Sequence, residues 1–408
     1  MNVVVTGIGV LSPAGSDPAS LWRGVASGQS FVRRVTRFDP APFRSQVAGE
    51  IAGFDPQARL DRKLANRLDR FSALAVVAAE DALRDADLKT VDQPGEFGVS
   101  IGSALGGAAL AEEQHRRYLT GGIGAVRPVL AISVFGAAAA CNVAQHCNLH
   151  GPVLGNTNSC AAGITAIGEA CMLMRLGRAR RMLAGGVEAP LAPLTFGAFD
   201  LLRAMSAKWN DAPARASRPF DRARDGFVMA EAAAVFVLEL EEDALRRNAR
   251  IYGRIAGFGM SNDAFHMSAP REDGSDSARC MLAALADAGM TAQEVECVSA
   301  HGSGTPPGDT AEMRALERVL GERLPRVPVV ASKGCHGHAL GATGAVEVAI
   351  ALLAMEHGEV PPSVNSDDPE PQLATATVPR PMRITNVLKN AAGFGGLNAA
   401  LVLLREGA

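Results

Sequence analysis

Twice in this chain a strand-like run passes through a short polar loop into a helix built mainly of small residues. The two passages are NTNSCAAGITAIGEACMLM and SKGCHGHALGATGAVEVAIALL. They lie too far apart for a short-period solenoid and read instead as a duplicated α/β unit. Around them, strand and helix patterns alternate from end to end, which predicts mostly parallel sheets covered by helices. The second series begins near Arg250, giving halves at residues 1–249 and 250–408. No Ser/Gly or Pro linker divides them, so they should pack as one body.

The individual elements follow from periodicity. NVVVTGIGV, from Asn2, has the β-branched run of a buried strand ending at glycine. From Leu68, the segment LDRFSALAVVAAEDALRDADL places Phe71, Leu74, Val77 and Ala78 at helical spacing with charges opposite. GEFGVSIG, RMLAGGVEA, AAAVFVLELE and RIYGRIAGFGM read as further strands, and SARCMLAALADAGM as a helix. RITNVLKNAAGFGGLNAALVLLRE closes the chain with two β-rich runs about a GFGG turn, and the Pro-rich piece Val360 to Gln372 reads as a surface loop.

Composition removes several classes of function. With 48% hydrophobic and 20% charged residues the chain is globular, neither disordered nor fibrous. Only 5% of residues are aromatic and the formal net charge is −3, which disfavours nucleic acid and anionic membrane as partners. The seven cysteines are odd in number and form no CxxC, so neither a disulfide framework nor a zinc ribbon is expected. The N-terminus lacks the basic region of a signal peptide. The stretch from Pro128 to Gly168 carries no Asp, Glu, Lys or Arg, but polar residues and Pro152 interrupt it, so it reads as core or subunit interface rather than a membrane span. A cytoplasmic protein is expected.

Four segments could carry chemistry. Asn158-Ser159-Cys160-Ala161-Ala162-Gly163 puts a cysteine at a helix N-terminus, where unpaired N–H groups and the helix dipole favour a thiolate. A cysteine there is either such a nucleophile or an inert buried thiol. In Val298 to Glu312, His301 heads a glycine-rich loop with Ser303, Thr305 and Asp309, which suits either a satisfied core histidine or a grip on a polar ligand. Ser332 to Glu347 brings Lys333, His336 and His338 before a small-residue helix, where Cys335, His336 and His338 are spaced too tightly for tetrahedral metal ligation. Gly393 to Gly396 carries one aromatic, Phe394, in a turn that is a gate or merely a hairpin. Together these supply a nucleophile, two imidazoles, an ammonium and backbone amides, the inventory of acyl transfer. Neither GxxxxGK[ST] nor a GxGxxG after the first strand occurs, so phosphoryl and hydride transfer are disfavoured.

In this order and spacing the motifs resemble those of the β-ketoacyl–acyl carrier protein synthases with a Cys-His-His centre. The likeness runs through VVTGIGV, GSALGG, NSCAAG, SRPFDRARDGFVMAEAAAVFVLE, GFGMSNDAFHMSAP, AHGSGTPPGDTAE, SKGCHGHALGATGAVE and GFGG. The resemblance implies a thiolase-like fold, layered α-β-α-β-α, working as a dimer. It implies decarboxylative condensation of an acyl chain on Cys160 with malonyl carrier protein, with His301 and His338 promoting decarboxylation. By the same match Lys333 and Glu312 form a charged pair that tunes the histidines, and the amides of Cys160 and Phe394 form an oxyanion hole. Ser303 and Thr305 bind the phosphopantetheine arm, Phe394 gates the cysteine, and Leu105 and Phe199 floor the pocket. No resident cofactor or metal is implied.

The partners implied are acyl carrier protein and either a second copy or a chain-length-factor-like subunit. Arg62, Lys63, Arg67 and Arg70, with Arg203, are candidates for carrier docking, against the alternative of a solvated helix face. The sequence departs from the family at Ser159, Ser303, His336, Ala392 and Leu397, and His336 has no assigned role. Small side chains at Val129, Leu130 and Ala131, where the fatty-acid enzymes tend to carry Phe, predict tolerance of a longer or stiffer acyl chain. Two rival readings are a non-catalytic chain-length-factor-like subunit, which would have lost the nucleophile, and a thiolase, which would carry a second cysteine near the C-terminal turn.

Overall fold

The computed structural model describes residues 1–88 and 93–407. The first half builds β1 (Val3–Leu11), α1 (Arg70–Asp85), β2 (Phe97–Gly102), α2 (Ala138–His146), β3 (Val153–Asn156), α3 (Ala162–Arg175), β4 (Arg181–Glu188) and β5 (Ala232–Leu240). The second half repeats the succession with β6 (Gly253–Asn262), α4 (Ser275–Asp287), β7 (Cys297–Ser299), α5 (Pro306–Leu320), β8 (Val329–Val330), α6 (Leu340–His357), β9 (Asn386–Gly393) and β10 (Leu397–Leu404). Strand order is β3-β2-β4-β5-β1 in one half and β8-β7-β9-β10-β6 in the other, the same order twice. The halves join edge to edge where Val3 to Val5 of β1 meet Gly253 to Ile255 of β6.

Helices cover both faces of each strand set. α1 and α2 lie outside the first, α4 and α5 outside the second, and α3 and α6 pack on each other between them. The result is the α-β-α-β-α layering. β1 is buried along its whole length, which is why it reads as an unbroken apolar run rather than an alternating one. Gly9 lets α1 lie directly on β1, since a Cβ there would come 1.8 Å from the Ala78 carbonyl oxygen. Among the described residues α6 is the one helix long and apolar enough to cross a membrane, and it is buried here between the two strand sets.

The expectation of mostly parallel sheets is corrected. β2 runs parallel to β3 and β4, and β7 to β8 and β9. The pairs β4–β5, β5–β1, β9–β10, β10–β6 and the β1–β6 seam are antiparallel. A parallel neighbour needs a crossover helix, whereas β10 follows β9 through the tight GFGG turn and can only run back. The parallel strands nevertheless set the site. The chain leaves the carboxyl ends of β2, β3, β7 and β8 into the loops that carry Leu105, Cys160, His301 and Lys333, where open α/β sheets bind ligands.

Candidate active site

Cys160 lies in a short 3₁₀ turn, Ser159–Ala161, that feeds α3. Ser159 takes a left-handed φ of 49°, a strained conformation for a residue with a side chain, and this turns the cysteine out of the helix axis. The β9–β10 turn lies hard against it: a Cβ on Gly393 would come 3.0 Å from the Cys160 amide nitrogen. The side chain is half-buried beside an apolar cluster that includes Leu105, Phe196, Phe199, Phe227 and Leu340.

Burial bears on the choice between a thiolate and a thiol that the sequence leaves open at Cys160. Burial pushes the Cys160 thiol up to about 11, and the Glu188 carboxylate adds to this, against the Ser159 hydroxyl, the Lys333 ammonium and the Phe394 amide. Desolvation thus works against the thiolate that the helix N-terminus favours.

His301 and His338 stand edge to face, ring centroids 5.3 Å apart. Both are buried and both are held well below the ordinary histidine value, first by burial and then by the Lys333 ammonium. They are therefore neutral at physiological pH. His338 is fixed by its main chain, which pairs with Val228 and Ala230, and by its Nδ1, 3.0 Å from the Thr343 hydroxyl of α6. His301 is fixed by its amide, which donates to Glu312 at 2.6 Å.

The pairing of Lys333 with Glu312 is corrected as well. Glu312 accepts from the amides of His301 and Gly302 and from the Asn390 side chain. It organises the loop rather than neutralising the lysine. Lys333 pairs at 2.7 Å with Glu347, the single charged residue in the buried part of α6, and donates to the His301 carbonyl. Glu347 also pairs at 2.7 Å with Lys389 of β9. Burial pushes Glu347 up, but the two ammonium groups hold it below the usual carboxylate range. Glu347 and Lys389 went unnoticed in the sequence, although a lone charge within an apolar helix or strand is a visible signal.

A cavity of about 250 Å³ joins these groups. Cys160, Phe199, His301, Ser303, Thr305, His338, Ala392, Phe394, Glu312 and Arg203 line it. Ser303 and Thr305 share a hydrogen bond of 2.8 Å, and Thr305 caps α5. Beneath them Asp309 accepts from Ser303 and the Gly304 amide, and burial pushes it up to about 6. Phe394 stacks on Phe199 with centroids 6.1 Å apart. Leu105 does not reach the cavity wall; it packs in the apolar cluster behind Cys160. Its loop is tied down by Glu188, which accepts from Ser103, Ala104, Leu105 and, across the molecule, Gly341. Burial pushes Glu188 up to about 7.

Other expected residues lie elsewhere. Val129, Leu130 and Ala131 do not line the cavity; they sit partly exposed on the outer face beside Ile132, Val134 and Phe135. His336 is buried, 3.0 Å from the Ser332 hydroxyl, and its pKa is pushed down to about 4 by burial. No cluster of three metal-ligating side chains occurs among the described residues. Arg62, Lys63 and Arg67 are exposed on a short helix, and Arg203 is exposed at the cavity mouth. Arg70 is removed from the docking set, because it turns inward to the buried Glu231 at 2.6 Å.

A cysteine and two neutral imidazoles around one cavity, on a duplicated five-layered scaffold, define a condensing enzyme of the thiolase-like class. The chain belongs to the β-ketoacyl synthase family: the family's N-terminal domain matches residues 1–244 and its C-terminal domain residues 252–367. It is 41% identical to the ketoacyl synthase alpha subunit of the tetracenomycin polyketide synthase from Streptomyces glaucescens, over 99% of this chain and 97% of that one. It is 39% identical to 3-oxoacyl-[acyl-carrier-protein] synthase 2 of Vibrio cholerae, over 99% of both. A solved type II polyketide acyl carrier protein in complex with its ketosynthase, bound to the hexaketide, superposes with a TM-score of 0.91 at 33% identity over 99% of both chains. The ishigamide ketosynthase/chain length factor also gives 0.91, at 32% identity over 100% of this chain and 99% of that one. The protein is thus a ketosynthase of fatty-acid or type II polyketide synthesis, a β-ketoacyl-acyl carrier protein synthase.

Proposed function

We propose that Cys160 accepts an acyl chain as a thioester and that His301 and His338 drive its extension by a malonyl unit. In loading, the Cys160 sulfur bonds to the acyl carbon and the carrier thiol leaves with the proton. The malonyl thioester then loses its carboxylate as CO₂, and the freed electron pair becomes an enolate. Two neutral imidazoles suit that enolate, because each can offer an N–H without itself being a charged acid. In the tautomer where the Thr343 hydroxyl donates to Nδ1 of His338, the ring offers its Nε2–H to the enolate. The carbanion attacks the Cys160 thioester carbonyl, the amides of Cys160 and Phe394 take the oxyanion, and collapse releases the β-ketoacyl product and expels the Cys160 thiolate, which takes a proton from water. The observation that carries this reading is the pair of buried neutral imidazoles, 5.3 Å apart, on the wall that holds Cys160.

Lys333 and Glu312 hold the backbone around His301, Ser303 and Thr305 receive the phosphopantetheine arm, and Phe394 gates the thiol. The pantetheine enters with substrate, so no resident cofactor or metal is needed. Arg62, Lys63, Arg67 and Arg203 are the acyl carrier docking set, and association should weaken with salt. The exposed Ile132, Val134 and Phe135, with Val153 at the start of edge strand β3, suit a second chain, identical or of the chain-length-factor kind, in the cytoplasm. Across that contact, Val129 to Ala131 would leave room for a long acyl chain. Retention of Cys160, His301, Lys333 and His338 speaks against a non-catalytic subunit. The test is malonyl carrier protein with wild type and with Cys160→Ala. The wild type should release CO₂ and extend its bound acyl chain, and Cys160→Ala should form no acyl-enzyme. An extended product from Cys160→Ala would overturn the assignment.

A further inference from the structure

The carbonyls of Ser299, Ala300 and His301, three in succession where β7 ends, are all held by ammonium groups. Lys389 Nζ donates to the Ser299 and Ala300 carbonyls at 3.3 and 3.2 Å, and to the Asn390 carbonyl at 2.6 Å. Lys333 Nζ donates to the carbonyl of His301. On the other side of the same backbone, the amides of His301 and Gly302 are taken by Glu312, which also binds the Asn390 side chain. The segment presenting the imidazole is therefore clamped at its carbonyls and at its amides.

Lys389 stands directly opposite Ser299 in the parallel β7–β9 register, so its side chain need only run along the strand to reach these oxygens. It is fully buried. An ammonium there is expensive to desolvate, and an apolar residue of similar volume would serve β9 at least as well. Strand packing alone does not account for it.

Resting on the reading of His301 given above, we propose that Lys389 is a positioning residue for His301, acting with Lys333 on the backbone that aims the imidazole, and serving decarboxylation rather than acyl loading. The charge works in the same direction as the geometry. Burial is the main cause that keeps His301 and His338 unprotonated; Lys333 and, last, Lys389 add to it at both, with His338 acting at His301 and His336 at His338. The groups acting on Lys389 itself are Glu347, Lys333 and Glu312.

Lys389→Met and Lys389→Gln in the full-length enzyme test this, with two readouts besides melting temperature. One is acylation of Cys160 followed by intact mass, and the other is CO₂ release from malonyl carrier protein across pH. Lys389→Met should load within about threefold of wild type while its decarboxylation kcat falls about tenfold or more at little-changed KM. Removing a positive charge makes His301 easier to protonate, so the acid limb of the CO₂ profile should move to higher pH. Lys389→Gln, which keeps a donor without the charge, should recover part of the rate but not the profile. Wild-type CO₂ release and profile in Lys389→Met would overturn the proposal. So would equal losses of loading and decarboxylation that follow melting temperature, which would make the lysine merely structural. Failure of the wild type itself to load or decarboxylate would instead overturn the underlying assignment of His301.

Discussion

Glu347→Gln is the most informative single change to the buried charge cluster. In the native protein one carboxylate serves two ammonium groups at 2.7 Å each, none of the three being exposed. The substitution keeps the volume and leaves both ammoniums without that counter-ion. Stripping one partner from a buried ion pair costs about 3–5 kcal/mol. Either lysine can instead shed its proton, which at pH 7 costs about 4–5 kcal/mol for an ordinary amine pKa. With an unfolding entropy of about 2.1 cal/mol/K per residue over 408 residues, a loss of 3–5 kcal/mol lowers the melting temperature by about 3–6 °C.

A second mutation sharpens the result. Glu347→Gln with Lys389→Met removes one charge of each sign and leaves a single ammonium, Lys333, in the cluster. The double variant should be less destabilised than the sum of the singles by at least about 1.5 kcal/mol. The single Glu347→Gln protein should also gain stability as pH rises from 7 to 10 more than wild type does. A neutralised buried lysine binds fewer protons folded than unfolded, and such a group stabilises progressively with pH. Scanning fluorimetry and urea titration across pH measure all of this. A cost for Glu347→Gln below about 1 kcal/mol, or singles that add within about 0.5 kcal/mol, would refute the shared-carboxylate account.

Alkylation of Cys160 by iodoacetamide should climb steadily from pH 7 to 10, because burial sets its thiol near 11; a plateau near pH 7 would restore the low-pKa thiolate. Glu188→Gln removes a charge that pushes this thiol up, so alkylation at pH 8 should rise by up to about tenfold, and no rise would exclude Glu188 from that role. Gly393→Ala drives a methyl group to 3.0 Å from the Cys160 amide and should lower condensation by about tenfold or more, with melting temperature changed by only a few degrees. Wild-type turnover would show that the two turns can part freely. Thr343→Val removes the hydroxyl beside His338 Nδ1 and should slow CO₂ release about tenfold without slowing acyl loading, whereas parallel losses would make Thr343 a packing residue.

The strands and helices were legible because their burial patterns differ in kind. β1 and β5 read as continuous apolar runs and are buried on both faces, whereas α1, which reads as one-sided, is buried at every residue from Phe71 to Ala79 and shows its charged side only in its last turns. Cys160, His301 and His338 were legible from the loops they head, since the structure brings all three to one cavity. Strand direction was not, because periodicity records which faces are buried but not which way the next strand runs. Nor were the charge partners. Glu312 and Glu347 are both acidic residues on helices near Lys333 in the fold, and only the packing of α6 decides that Lys333 meets the second. Arg70 belongs to a basic run, and its inward turn depends on Glu231, 161 positions along the chain. The state of the Cys160 thiol was left open because a helix N-terminus is visible in sequence and desolvation is not.

The twofold strand order has an architectural consequence. By position, the loop after β3 that bears Cys160 is the counterpart of the loop after β8 that bears Lys333 and leads to His338. Likewise the loop after β2, with Ser103 to Leu105, is the counterpart of the loop after β7, with His301. Equivalent corners of a repeated scaffold thus carry unequal side chains, a thiol and its tethered neighbour loop on one side, two imidazoles and an ammonium on the other. Because both sets converge on a single chamber, neither repeat is a spare for its twin.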